Sequence, residues 1–164
     1  MNKNLIKAVA GMQNIDVLVT KLERLVDRLH DDSANYVAEL EIYPVCDYAE
    51  KSPIEILNKA LKGEVIIEKI AISNQQELIA GISAMLSYEG LGSSHPNRAY
   101  VGSAEHGEHL VELGSELKRL TSHASSIKEF WLKKGYPFYA VFWNLGFIIT
   151  INSDAYVIAG TISD

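Results

Sequence analysis

An internal disulfide is the first thing this chain cannot have, because its only cysteine is Cys46. Stability must come from apolar burial, and no oxidising compartment is needed, so a cytoplasmic location is expected. Long apolar runs are missing as well. The longest candidate, from Phe138 to Ile151, is interrupted at Trp143-Asn144-Leu145-Gly146. Nothing approaches the roughly 20 residues that span a bilayer. The stretch from Met1 to Gly11 holds two lysines but no full apolar core and no small-x-small cleavage site, so no signal peptide is expected. Repeats, low-complexity tracts and linkers are absent. Only 91–103, which contains His95-Pro96-Asn97, has the composition of a loop. Also lacking are a phosphate-loop lysine, an HExxH pair and the paired Glu-x-x-His of di-iron bundles.

What is present is a globular composition. With 48% apolar and 22% charged residues in 164, the chain suits one domain over 1–164 that buries about two thirds of its unfolded surface. Its charge is lopsided. Positions 31–116 carry fifteen acids against five bases, while 1–30 and 117–164 are each +2, leaving −6 overall. An acidic middle repels nucleic acid and anionic membrane and attracts a basic protein or a cation.

Spacing sets the elements. Ile15, Leu18, Leu22, Leu25 and Leu29 put one apolar stripe on a helix near 14–30, with Asn14 as its N-cap. Tyr36 to Tyr43 alternates as a half-exposed strand that sends Glu39 and Glu41 to one face and stops at Pro44. Ser52-Pro53-Ile54-Glu55 reads as a capping box, and Gly63 closes that helix. Val65 to Ile72 is a β-branched strand. Asn74 then opens a helix with Leu78, Ile82, Met85 and Leu86 inward, ended by Gly90. A second stripe, from Leu110 to Trp131, predicts a helix from Ser103 to about Lys134. It should kink or break at 121–126, whose residues favour helix weakly. Phe138 to Ile162 reads as antiparallel strands buried on both faces, with turns at Asn144-Leu145-Gly146 and Asn152-Ser153-Asp154. The expected fold is α/β or α+β: a mixed sheet of about five strands flanked by about four helices, the first strands joined by a parallel crossover.

Four patterns carry candidate chemistry. Glu105, His109, Glu112 and Glu116 share a strip of the long helix, where an imidazole and carboxylates one turn apart can hold a divalent metal. His95 is the natural donor from the preceding loop, and Asp47 is a weaker one. His106 falls in line with Leu110 and is expected to turn inward. The plainer reading of the strip is a solvated face whose acids suit the helix dipole. Cys46 is read as a small buried residue at a strand end rather than a nucleophile. Gly90 to Pro96 is read as a flexible connection rather than a phosphate site. The eight aromatics from Phe130 to Phe147, with Lys133 and Lys134 among them, are read as core and sheet packing; any exposed part would suit a protein contact.

Together these point to a non-catalytic, acidic protein-binding module for a basic partner, without a cofactor. Its contacts would be Glu39, Glu41, Glu105, Glu108, Glu112 and Glu116. In charge and size alone, small acidic bacterial inhibitors of cationic toxins have this look. The alternatives are a metal-binding protein or metal-dependent hydrolase using His95, Glu105, His109 and Glu112, and a structural subunit that pairs as a homodimer through one of its apolar stripes.

Overall fold

Each apolar stripe becomes one buried side of an element. The computed structural model describes residues 3–139 and 143–163, with side chains from Ile15 onward. In chain order the elements are α1 (Lys3–His30), β1 (Val37–Val45), α2 (Pro53–Ala60), β2 (Ile66–Ser73) and α3 (Gln75–Leu86), followed by α4 (Ala104–Thr121), β3 (Ser126–Lys134), β4 (Trp143–Ile151) and β5 (Asp154–Ser163). The strands form one sheet in the order β1-β5-β4-β3-β2, and every neighbouring pair is antiparallel. The class is therefore α+β. The expected parallel crossover is not formed, because β1 and β2 lie at opposite edges of the sheet.

Helices α1, α3 and α4 cover one face. Leu18, Leu22, Leu25 and Leu29 of α1, Ile82 and Met85 of α3, and Leu113 and Leu117 of α4 pack with Leu40, Phe147, Ile149 and Ile158 of the sheet. Both stripes are thus consumed inside the molecule. On the other face, Ile56, Leu57 and Ala60 of α2 meet Val45, Phe130, Ile148 and Val157. Central strands β4 and β5 are buried on both sides, as their apolar runs imply.

Several local expectations are corrected. The first helix starts at Lys3, so Asn14 lies within it and is not its cap. Strand β1 runs through Pro44 to Val45; as an edge strand it tolerates the missing N–H. The left-handed residue after α2 is Lys62 (φ 54°) rather than Gly63. Helix α3 ends at Leu86, four residues before Gly90. The stripe continued to Trp131 in sequence, yet α4 stops at Thr121 and Ile127 and Trp131 belong to β3. A spacing of four fits a helical turn and also one face of a strand. The weak helix formers at 122–126 decide between them, and Ser125 N–H already donates to Thr150 O of the sheet. The expected turn at 144–146 lies inside β4. Gly146 serves packing there, since a Cβ at that position would fall 2.5 Å from the Phe130 ring. The turn at Asn152-Ser153 is real, with Ile151 paired to Asp154 and Asn152 at φ 53°.

The capping box at Ser52 and Glu55 forms. At α3, Asn74 Oδ1 accepts the Glu77 N–H at 2.9 Å. Replacing Asn74 with alanine is expected to cost about 0.5–2 kcal/mol, read as a lower urea midpoint with an unchanged slope.

Candidate functional site

Helices α1 and α4 run antiparallel, which sets the basic last turn of α1 beside the acidic first turn of α4. Arg28 clasps Glu105 with two bonds, Nε to Oε1 at 3.1 Å and Nη2 to Oε2 at 2.9 Å. Its Nη1 donates to Asp31 at 2.9 Å, and its guanidinium lies 5.0 Å from the centre of the Tyr100 ring. Two turns along α4, Lys21 at 3.0 Å and Arg24 at 2.7 Å both reach Glu112 Oε2. Arg119 pairs with Glu116. The hydrogen bond from Arg28 holds the Glu105 carboxyl below the usual range, and bonds from Lys21 and then Arg24 do the same for Glu112. Three of the four acids placed on this helix are therefore matched by cations of the same molecule. Glu108 is exposed and has no ion pair among the described residues.

The four residues named for a metal are not gathered. Glu105 and Glu112 are held by α1, His109 Nδ1 lies 2.7 Å from the Tyr100 hydroxyl, and His95 Nδ1 lies 2.8 Å from Pro96 O. Among the described residues no three histidines, cysteines, aspartates or glutamates are placed to hold a metal ion. His106 does turn inward, at 3% exposure. Cys46 is exposed, one residue past the buried Val45, which corrects its reading as a buried residue. The connection 87–103 is tied down rather than loose. Ala34 and His95 form an isolated bridge, Asn97 N–H donates to Leu29 O, and Tyr100 is 1% exposed.

The aromatic segment divides. Phe130 and Phe147 are buried on opposite faces, Trp143 meets Tyr88 edge-on, Lys69 sits over the Trp131 ring, and Phe142 lies outside the described residues. Tyr136 donates its hydroxyl toward the carbonyls of Leu145 and Gly160, locking the β3–β4 connection to the sheet. Tyr139, at 87% exposure, stands in solvent.

Glu39 and Glu41 occupy a different surface from α4. Ala38 and Leu40 of β1 face the three helices, so Glu39 and Glu41 point to the α2 side. Neither has an ion pair among the described residues. Burial, then a hydrogen bond with Glu41, pushes the Tyr43 hydroxyl well above its ordinary range. Beyond them the edge of β1 is open among the described residues, where its ladder partner is β5 alone. The open edge and the cations of α1 were both missed by the sequence reading. The cations had a signal, the spacing of Lys21, Arg24 and Arg28 beside the first stripe.

No family model matches the chain, and no curated protein does. A crystal structure of citrus MAF1 is similar at 11% identity and a TM-score of 0.37, covering 88% of this chain and 98% of that one. At that score the likeness supports neither a fold assignment nor a function. No helix among the described residues is long and apolar enough to cross a membrane.

Proposed function

We propose that the chain is a non-catalytic protein-binding module that docks a basic protein on the β1 edge of its sheet, in the manner of a small cytoplasmic inhibitor. One observation carries this reading. The acids of α4 are largely neutralised within the molecule, whereas Glu39 and Glu41 stand at a sheet edge without cationic partners among the described residues. Unpaired carboxylates keep their field available to a partner and steer its approach.

The test begins with the immobilised chain and an extract of its own cells. The captured protein is purified, and its association rate is measured at low and high salt. Glu39→Gln with Glu41→Gln should slow association about tenfold at low salt and flatten its salt dependence. Glu105→Gln with Glu112→Gln should change it far less. Capture of a protein without basic character, or equal rates for Glu39→Gln/Glu41→Gln and the parent chain, rejects the reading.

A further inference from the structure

Antiparallel ladders alternate, so every second residue of β1 sends both backbone groups toward β5 and the residues between send theirs outward. The Ala38 N–H donates to His30 Nε2 at 3.0 Å instead of to β5. That identifies Ala38, Leu40, Ile42 and Pro44 as the outward set. His30 occupies the first donor, and Pro44 has none to offer. The open edge is therefore confined to Leu40 and Ile42, whose N–H and C=O groups point away from β5 and have no partner among the described residues. Glu39, Glu41 and Tyr43 alternate with them and face the α2 side.

We propose that the partner's contact segment is an extended strand that adds to β1 antiparallel, paired at Leu40 and Ile42, with lysine or arginine at alternate positions opposite Glu39 and Glu41. This rests on the acidic-edge reading and specifies how that edge is used. Residues opposite the two glutamates would form non-hydrogen-bonded pairs, whose Cα atoms come within about 4.5 Å. Side chains on one face of such a pair interact directly, and opposite charges there are favourable. Main-chain bonds supply affinity in this mode and alternate side chains supply specificity. The blocked ends fix the register, because a slip by two residues would set the added strand against His30 or Pro44.

The opposite edge does not offer the same. Strand β2 exposes Ile72 at 90% and Ile66 at 47%, but its ladder shifts register on both sides of Ile67. Irregularities of this kind oppose strand addition. The neighbouring charges Glu68 and Lys69 cancel, leaving no preference for a basic or an acidic segment.

The experiment uses the full chain and two synthetic peptides of one composition, the first alternating lysine with threonine and the second with its lysines clustered. The alternating peptide should bind about tenfold more tightly, and deuterium exchange at the Leu40 and Ile42 amides should slow in its presence. Glu39→Gln with Glu41→Gln should abolish that preference. Equal binding of both peptides, lost in the same variant, overturns strand addition while leaving the acidic edge standing. Binding of neither peptide, unchanged exchange at Leu40 and Ile42, or protection confined to β2 overturns it as well. The acidic edge itself is then judged on the captured protein alone.

Discussion

Replacing Phe147 with alanine is expected to destabilise the protein by about 3–5 kcal/mol, the usual cost of truncating a buried phenylalanine. Phe147 is 2% exposed on the helix-facing side of β4, paired to Ile158 on one side and Glu129 on the other. Helix α3 lies directly on it. A Cβ at Gly81 would stand 3.6 Å from Phe147 Cζ and 3.4 Å from Leu145 Cδ1, ordinary contact distances with no slack. With the ring gone, α3 must either leave a cavity or tilt, and the interlocked Leu78, Ile82 and Met85 resist tilting. Because whole domains are stable by only about 5–15 kcal/mol, the melting temperature should fall by roughly 6–20 °C. Ile72→Ala removes an apolar side chain that is 90% exposed, and should move stability by less than about 0.5 kcal/mol. Urea melts of the two variants check both numbers. A loss under about 1 kcal/mol at Phe147 would mean that α3 can settle onto β4.

Legibility in the sequence followed how local the determining physics was. The amphipathic stripe from Ile15 to Leu29, the Ser52 capping box, the Asn74 cap and the Asn152-Ser153 turn are written in residues a few positions apart, and each is present. Readings that failed needed a contact from elsewhere in the chain. Gly146 looked like a turn residue but is glycine because Phe130 occupies its side-chain space. The long stripe crossed from α4 into β3 unnoticed, because a four-residue step serves both periods. The charge count had the same limit. Counting acids over 31–116 treated the +2 of residues 1–30 as distant, yet the fold lays Lys21, Arg24 and Arg28 against Glu112 and Glu105. Alternation did show which face of β1 carries Glu39 and Glu41. It could not show that β1 would be an edge, a property decided by β5.

Stability should fall as the solution is acidified below the ordinary histidine range, and His106 is the reason. Its Nδ1 accepts the Gly102 N–H at 3.2 Å, so the proton sits on Nε2, which donates to Leu86 O at 3.1 Å. The ring thereby joins the last turn of α3 to the start of α4, with Tyr100 edge-on at 5.0 Å. A second proton on Nδ1 would face the Gly102 N–H, and burial lowers the pKa of His106 below its ordinary value of 6.5. Above about pH 6.5 folded and unfolded chains both hold a neutral imidazole there, and nothing is lost. Below it the unfolded chain takes up the proton first, which favours unfolding by at most about 1.4 kcal/mol per pH unit until the folded pKa is reached. Glu105 and Glu112, lowered from 4.5, also weaken the fold in acid, but at lower pH. His106→Gln keeps a donor toward Leu86 and removes the titration of this ring, so it should lose less stability than the parent chain between pH 7 and the carboxylate range. His106→Ala strips both backbone partners, and at about 1–3 kcal/mol for each group left bare it should be unstable at every pH. Chemical denaturation of the parent chain and both variants across this range separates the effects. Parallel curves for the parent and His106→Gln would assign the acid sensitivity to other groups.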